Sequence, residues 1–385
     1  MRRVVVAHNR YVSSVPSGEN DVVDEQIALL RSAGVEVHPY LRSSDEIAEF
    51  GPLEKAELAI RPTWSRRDVK AFGALLDDVR PDVVHLHNPF PLLSPWIVRA
   101  AADRGCPVVQ TVHNYRHGCV AGSLFRDGHP CRECIGRTVA WPAVAHGCYR
   151  GSRLQSVPMV VAQVTHRPTW RLVDRFLPLT TFMAGQLAEI GLPPSTMTVL
   201  PNAVEDPGAV GPPGRTVLFA GRLDPEKGIE VLLDAWQLSG LGTENELVIA
   251  GDGPLLAGCQ AAAARSPGLT VLGRVAPQDV GRLMESSALL VVPSVCNEGF
   301  PRVVVEAFAR SRPVLSSSVE SLACIVDDEV GWLAEPSAVP LAAALRTALA
   351  DDSVARGAAA RSRYLERYRP EVVLAQLLQV YDEVR

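Results

Sequence analysis

Short apolar runs and stretches of helical spacing alternate from the start of the chain. Arg3–Ala7 is an apolar run, Val22–Ser32 carries apolar residues at helical spacing before Gly34, and Val35–Val37 begins a second apolar run. Parallel strands buried on both faces are apolar throughout, whereas the helices between them show a period near 3.6 residues. The pattern therefore predicts a strand–helix–strand unit, with a polar loop at Ser13–Asn20 between its first strand and its helix.

The same alternation continues to residue 316 and predicts two parallel sheets. In the first half we expect helices at Val69–Val79 and Leu92–Arg104 and strands at Val83–His87 and Val108–His113. In the second half we expect strands at Val217–Ala220, Leu247–Gly251, Leu269–Leu272, Leu289–Pro293 and Val314–Ser316, with helices at Ile229–Leu238, Leu255–Arg265, Val280–Ser286 and Val303–Ala309. Strands that alternate with helices indicate an α/β protein.

The domain boundary is predicted between Asn202 and Gly214, where proline and glycine are frequent and no periodicity is seen. An ordinary surface loop has the same composition, but here a new series of strands begins after it. We therefore expect an N-terminal domain at residues 1–205, a C-terminal domain at residues 206–369, and a terminal helix at residues 370–385.

Composition narrows the classes of function. The chain has 385 residues, a net charge of −5 and a sequence pI near 6.0, which argues against a nucleic-acid partner. The basic start lacks the apolar stretch of a signal peptide, and no run reaches the roughly 18 apolar residues of a membrane helix. We expect a cytoplasmic protein without a transmembrane segment, and peripheral membrane contact stays open.

The loop after the predicted strand Val217–Ala220 carries two cations. It reads GRLDPEKG, so that Arg222 and Lys227 lie in a short segment that begins at Gly221. Arginine offers a fork of donors to phosphate oxygens, and lysine offers a compact charge. Alternatively, these cations pair with Asp224 and Glu226 in a solvated loop.

The loop after the predicted strand Leu289–Pro293 carries carboxylates beside a helix start. Pro301 suits the first helical position, so the amides of Gly299–Arg302 would be favourable for a phosphate. Glu298 precedes this helix and Glu306 lies within it, among apolar residues. Carboxylates accept hydrogen bonds from hydroxyls, so the two could hold a ribose and a hexose on either side of an anion.

A third loop, AGDGP, contains Gly251 and Gly253 after the strand Leu247–Gly251. Leu256 occupies the third position of a glycine fingerprint for dinucleotides, so a nicotinamide cofactor is not supported. The two glycines instead indicate a loop whose backbone approaches a nucleotide closely.

Together GRLDPEKG, AGDGP and EGFPRVVVEAFARSRPV, with Glu298 and Glu306 in a Glu-x7-Glu spacing, resemble the retaining GT-B glycosyltransferases of family four. The resemblance covers nearly the whole chain. It implies two Rossmann-like domains with parallel sheets facing a central cleft, and a terminal helix that crosses back to the N-terminal domain. Glu320–Ser321 stands where the family often has a glycine pair, and Ser311 stands where a glycine is usual.

The resemblance also implies roles for individual residues. Arg222 and Lys227 would hold the donor diphosphate, Glu306 the ribose and Glu298 the donor sugar, while Gly18 would lie next to the phosphate and His113 near the reacting sugar. A strand-end histidine with a purely structural role is the alternative for His113, and His87 is a second candidate. The expected donor-binding set is Gly18, Arg222, Lys227, Gly251, Gly253, Glu298, Gly299, Phe300, Pro301 and Glu306.

A cysteine-rich insert is predicted at residues 113–153, where a Cys-x2-Cys pair lies between two His-Gly-Cys triplets. Four thiolates with such a pair are typical of a structural zinc site, and the alternative is four reduced thiols. The candidate ligands are Cys119, Cys131, Cys134 and Cys148.

These observations predict a retaining hexosyltransferase that uses a nucleotide diphosphate sugar, with UDP-sugars favoured over GDP-sugars. The acceptor would be a hydroxyl in glycan, glycolipid or natural-product biosynthesis. The expected catalytic residues are His113, Arg222, Lys227 and Glu298, with no cofactor in catalysis. A sugar-nucleotide epimerase of the same fold and an inactive nucleotide-binding paralogue are the alternatives.

Overall fold

The computed structural model describes residues 2–14, 17–58, 60–351 and 353–385. Their contacts divide the chain into two units. The first unit comprises Met1–Leu124, Arg132–Pro201 and Val373–Arg385, and the second comprises Phe125–Cys131 and Asn202–Val372.

The first unit is built on a parallel sheet of five strands. Its spatial order is β2-β1-β3-β4-β7, so the chain moves outward from β1 to β2 and then returns to the other side of β1 with β3. The strands are β1 Arg3–Arg10, β2 Glu36–Ser43, β3 Val83–Leu86, β4 Val108–Val112 and β7 Arg175–Pro178. Between β4 and β7 the chain forms a short antiparallel pair, β5 Phe125–Arg126 with β6 His129–Pro130, which is grouped with the second unit.

Helices connect these strands and cover the sheet. They are α1 Gly18–Ser32, α2 Glu46–Glu49, α3 Pro52–Glu57, α4 Arg66–Val79, α5 Trp96–Ala102, α6 Trp141–Ala145, α7 Arg153–Trp170 and α8 Thr181–Glu189. Serine or threonine side chains cap several of them, as Ser65 does for α4 and Thr180 for α8. Such caps accept hydrogen bonds from the first amides and so mark where each helix begins.

The second unit contains a parallel sheet of six strands in the order β10-β9-β8-β11-β12-β13. The strands are β8 Thr216–Ala220, β9 Glu246–Ala250, β10 Leu269–Gly273, β11 Ser287–Val292, β12 Val314–Ser317 and β13 Gly331–Ala334. The helices are α9 Ile229–Ser239, α10 Leu256–Ala263, α11 Pro277–Glu285, α12 Arg302–Ala309, α13 Glu320–Ala323, α14 Ala338–Ala350 and α15 Ser353–Arg367. The last helix, α16 Pro370–Glu383, belongs to the first unit from Val373 onward.

Two apolar cores cover the two faces of this second sheet. Alternate residues of one strand enter different cores, so that Leu290 and Val292 of β11 join one while Leu289 and Val291 join the other. Both sets are buried, which explains why the strand reads as a continuous apolar run.

The structure confirms the predicted α/β class with two parallel sheets. Helix α1 begins at Gly18 rather than Val22, because the Ser17 hydroxyl accepts a hydrogen bond from Asn20 N and caps it there. Val15 and Pro16 of the predicted loop lie outside the described residues. Helix α7 and strand β7 were not predicted, since prolines interrupt the former and the latter has only four residues. Within the described ranges, the helices are all too short or too polar to cross a bilayer.

Candidate active site

The second sheet reverses its order at β8 and β11, and the loops that follow these strands meet there. Ligands of open parallel sheets bind beyond the carboxyl ends of the strands at such a reversal. Gly228 has φ +69, and a Cβ atom on it would lie 1.9 Å from the carbonyl oxygen of Pro293. Val295 N also donates to Glu226 O at 3.0 Å. A side chain at position 228 would therefore force the two loops apart.

This junction places Lys227 against Glu298. The Lys227 Nζ atom lies 2.7 Å from Oε1 and 2.6 Å from Oε2 of the carboxylate. Burial raises the pKa of Glu298, but the adjacent Lys227 charge outweighs it and holds that pKa below its ordinary value. Burial conversely lowers the pKa of Lys227, and the Glu298 charge raises it above the ordinary value. Both groups are thus charged at neutral pH.

Two serines fix the orientation of Glu298. Ser294 donates from Oγ to Glu298 Oε1 at 2.6 Å, and Glu298 N donates to Ser321 Oγ at 2.8 Å. Ser321 N in turn donates to Asn297 Oδ1 at 3.1 Å. Ser321 belongs to the Glu320–Ser321 pair that departs from the family pattern, and here its hydroxyl supports the loop.

Arg222 does not join the pair formed by Lys227 and Glu298. Its Nη2 lies 2.6 Å from Asp224 and 3.4 Å from Glu226, and its side chain is 54% exposed. Pairing with Asp224 and Glu226 was the alternative to a phosphate contact in the sequence analysis. An exposed ion pair of this kind is weak, so it leaves the guanidinium available to an anion.

Helix α12 does not begin where the sequence predicted. Helix α12 begins at Arg302, and Pro301 is the residue that precedes it rather than the first helical residue. Phe300 packs against the core, with its ring centroid 6.3 Å from that of Tyr368. Glu306 is partly exposed and lies 3.7 Å from Arg302 Nε, so its partner comes from the preceding turn of its own helix.

Gly251 and Gly253 serve contacts between loops. A Cβ atom on Gly251 would lie 1.9 Å from Gly221 O, and one on Gly253 would lie 2.8 Å from Leu223 O. The two glycines therefore allow the loop after β9 to pack against the loop after β8, which carries Arg222 and Lys227. Their predicted approach to a nucleotide remains a prediction.

The first sheet has a corresponding pocket at the carboxyl ends of β1, β3 and β4. Its lining residues include His87, His113, Glu19 and Arg116. His87 Nδ1 and His113 Nε2 are 2.8 Å apart, and the two rings stack with centroids 5.1 Å apart. The two histidine candidates thus form one hydrogen-bonded pair.

Burial keeps these imidazoles neutral. It lowers the pKa of His113 to about 3 and holds the pKa of His87 well below the usual range. Burial likewise lowers the pKa of His85 to about 3 and that of His8 to about 4. Neutral imidazoles can donate from one nitrogen and accept at the other.

Unsatisfied polar atoms line this pocket. Buried atoms without a hydrogen-bond partner among the described residues include Glu19 Oε1, His87 Nε2, Gln110 Oε1, Arg116 Nε and His117 Nδ1. Burial raises the pKa of Glu19 to about 7, although the Arg116 charge lowers it. Buried polar groups are normally paired, so this concentration marks the pocket as a candidate site for a polar ligand.

Sequence reasoning missed Glu19, Gln110, Arg116, His117, Ser294 and the contact made by Ser321. Glu19 directly follows Gly18, the first residue of α1, and Arg116 follows His113 by three residues. Their position beyond strand ends was the available signal, because that edge of the sheet gathers side chains that are distant along the chain.

The four cysteines of the insert are not assembled into a metal site. In the part of the chain that the structure describes, no group of three or more His, Cys, Asp or Glu residues is placed to hold a metal ion. Cys119 packs against the main core of the first unit, and Cys134 and Cys148 pack against the apolar cluster around Met159 and Val160. These contacts give three of the thiols an apolar role, and the predicted zinc site with Cys131 is not supported.

Comparisons with known proteins agree with this architecture. Residues 17–203 match the glycosyl transferase 4-like domain, and residues 214–351 match the glycosyl transferases group 1. The chain is 29% identical to a phosphatidyl-myo-inositol mannosyltransferase of Mycobacterium leprae, over 97% of this chain and 95% of that one.

Solved structures share the fold at low identity. A sucrose-phosphate synthase from Thermosynechococcus elongatus superimposes with a TM-score of 0.70 at 19% identity, over 100% of this chain and 99% of that one. Anabaena HepE in complex with UDP-glucose gives a TM-score of 0.66 at 15% identity, over 100% of both chains. These likenesses confirm the GT-B fold, and the sequence matches in both halves show that the chain belongs to the group 1 glycosyltransferases.

Proposed function

We propose that the enzyme transfers a hexose, with retention of anomeric configuration, from a nucleotide diphosphate sugar to an acceptor hydroxyl. The observation that carries this proposal is Lys227 held by the ionised Glu298 at the reversal of the second sheet. In the reaction, the bond between the anomeric carbon and the diphosphate oxygen breaks, and a bond to the acceptor oxygen forms. The acceptor proton leaves with the diphosphate.

The residues of the second unit suit the donor. Lys227 and Arg222 would stabilise the negative charge that develops on the departing diphosphate, which is the type of interaction that contributes most to many enzymes. Glu298, acceptor-only while ionised, would take hydrogen bonds from sugar hydroxyls. Glu306 would bind the ribose hydroxyls, with Gly18, Gly299 and Pro301 near the nucleotide. This chemistry requires no cofactor, because the two cations supply the charge.

The first unit suits hydroxyl groups. His113 is neutral and paired with His87, whose Nε2 lacks a partner among the described residues. Separate hydroxyls of a sugar or an acceptor could donate to Gln110 Oε1 and Glu19 Oε1 and pair with His87 Nε2. The mannosyltransferase relative is named for an inositol phospholipid, and HepE was solved with UDP-glucose. We therefore favour a UDP-hexose, with a GDP-hexose second, and a lipid-linked or glycan hydroxyl as acceptor.

The test is to incubate the protein with UDP- and GDP-hexoses, with and without candidate hydroxyl acceptors. Nucleotide release that depends on an acceptor, with an α-linked product from an α-linked donor by proton NMR, is the expected result. An epimerised donor without an acceptor would identify an epimerase, and nucleotide binding without turnover would identify an inactive paralogue. An inverted product would disprove retention alone.

A matched pair of variants ties the activity to the site. The chain has few lysines, namely Lys55, Lys70 and Lys227, and Lys70 is exposed on α4. Lys227→Ala should reduce turnover and nucleotide affinity, whereas Lys70→Ala should leave both unchanged. Equal activity of the two variants would remove Lys227 from the mechanism.

A further inference from the structure

Helix α7 exposes a stripe of apolar side chains. Leu154, Val157, Val161 and Val164 have spacings of three, four and three residues, which places them within roughly 80° of the helix circumference. They are 82%, 42%, 47% and 37% exposed, respectively, while Met159 on the opposite side is buried. The helix therefore packs through its inner face and carries a second apolar stripe along its outer face.

The surroundings of this stripe are cationic. Between Glu133 and Asp174 the chain contains five arginines and neither lysine, aspartate nor glutamate, in a protein whose net charge is −5. The arginines are Arg137, Arg150, Arg153, Arg167 and Arg171, all exposed. No carboxylate among the described residues forms an ion pair with any of them.

The charges lie beside the stripe. Arg153 and Arg167 fall on the flank of α7 next to Val164, and Arg171 follows at the end of the helix. Arg167 donates to the carbonyl oxygen of Arg137, whose guanidinium lies 5.6 Å from the ring centroid of Trp141. Trp141 is 57% exposed, so an aromatic residue extends the apolar surface.

A cavity opens between these arginines. Its lining residues include Arg137, Arg167, Arg171 and Val164. Glu189 also lines it, but this carboxylate is paired with Arg132. The cavity thus offers arginine donors to a phosphate at the edge of the apolar stripe.

We propose that this surface, the exposed face of α7 with its five flanking arginines, docks on an anionic phospholipid bilayer. An apolar stripe bordered by arginines, with an aromatic residue at its edge, matches helices that lie in the membrane interface. The apolar side chains would enter the acyl boundary, and the arginines would contact lipid phosphates. A neutral protein partner would satisfy the stripe and leave five unpaired cations, so charge complementarity favours the bilayer.

This inference goes beyond the proposed function and does not depend on it. None of the residues involved belongs to the donor site or to the histidine pair. Docking is measured without turnover, so that failure of the transferase assignment and failure of the docking surface give different results.

The experiment is vesicle flotation of the full chain. Vesicles of phosphatidylcholine with phosphatidylglycerol should carry the protein, vesicles of phosphatidylcholine alone should not, and added salt should release it. Replacing Arg153, Arg167 and Arg171 with Gln should weaken partitioning by roughly fivefold for each charge lost. Leu154→Ser and Val161→Ser should weaken it by roughly tenfold for each side chain that inserts.

Matched controls carry the same changes elsewhere. The exposed residues Arg66, Lys70 and Arg265 are replaced with Gln, and Val339 and Val354, which are 70% and 61% exposed, are replaced with Ser. These variants should float like the wild type, and all variants should keep the circular-dichroism spectrum and the Tm of the wild type, which establishes that they are folded.

Three results would overturn the proposal. The first is equal flotation with neutral and anionic vesicles, and the second is equal losses in the α7 variants and their controls. The third is a wild-type dimer in the absence of lipid that Leu154→Ser and Val161→Ser convert to a monomer, because a second copy of the chain would then cover the stripe.

Discussion

The two units place their candidate residues at the same point of similar sheets, yet the two sites differ in charge. In the second unit, Lys227 and Glu298 form a half-buried pair that stays ionised at neutral pH. In the first unit, His8, His85, His87 and His113 are buried and neutral. Every histidine of the chain precedes residue 167, and none occurs from residue 202 onward.

The comparison shows that a parallel sheet supplies a location, whereas side chains decide what that location can bind. Fixed charges suit a diphosphate, which is anionic throughout the physiological range. Neutral imidazoles and unsatisfied amides suit hydroxyls, which need both donors and acceptors. The two sites should consequently respond differently to substitution and to pH.

The largest effect is expected from Lys227→Met, which leaves Glu298 buried without its cation. Removing one partner of a fully buried ion pair costs about 3–5 kcal/mol of unfolding free energy, and this half-buried pair should cost somewhat less. Denaturant unfolding monitored by circular dichroism would measure this loss. The double variant Lys227→Met with Glu298→Gln should recover part of it, because no unpaired charge remains. A stable single variant would show that the pair is not buried in solution.

Lowering the pH should destabilise the first unit before the second. His8, His85 and His113 have pKa values near 3–4 when folded and about 6.5 when unfolded, so the unfolded state binds more protons below pH 6.5. Each such histidine lowers the unfolding free energy by about 1.4 kcal/mol per pH unit across that window. Glu19 opposes them, since its pKa is raised to about 7 and the folded state holds its proton.

Hydrogen exchange with mass spectrometry, at neutral pH and near the middle of that window, resolves the two units. Segments of β1, β3 and β4 should lose protection first, while β8 and β11 keep theirs, because the pKa of Glu298 is held below its ordinary value. Simultaneous loss in both units would contradict the contrast.

His113→Gln tests the imidazole pair. His87 would lose the partner 2.8 Å from its Nδ1, and its Nε2 already lacks one among the described residues. An unsatisfied buried polar group costs about 1–3 kcal/mol. Turnover should fall while nucleotide affinity stays constant, as measured by kcat and by UDP binding. His129→Gln, at an exposed histidine, is the control, and a matching loss of turnover there would exclude a specific role for His113.

Arg222→Ala should have the smallest effect on stability and a clear effect on function. Exposed ion pairs contribute about 0–1 kcal/mol, and this side chain is 54% exposed. Donor KM should rise roughly tenfold or more, because a charge-assisted bond to phosphate is lost. Arg346→Ala, at an exposed arginine of α14, serves as control. An unchanged donor KM would confine Arg222 to its pairs with Asp224 and Glu226.

Much of the fold followed from periodicity, and the departures from prediction have local causes. Apolar runs marked β1, β3, β4, β8, β9 and β11 because both faces of these strands are buried. Strand β7 was not predicted because Arg175–Pro178 is short and contains only two apolar residues before its proline. The zinc prediction from Cys131 and Cys134 failed to gain support because spacing alone does not show which thiols converge.

The sequence by itself determined the two parallel sheets, the loops that carry chemistry, and the residue types in them, because these depend on local pattern and composition. Only the tertiary structure decided that Lys227 pairs with Glu298 while Arg222 pairs with its own loop, and that His87 and His113 form one pair. It alone also showed that the outer stripe of α7 is exposed. Partner choice and burial depend on contacts between segments distant along the chain, which no local spacing specifies.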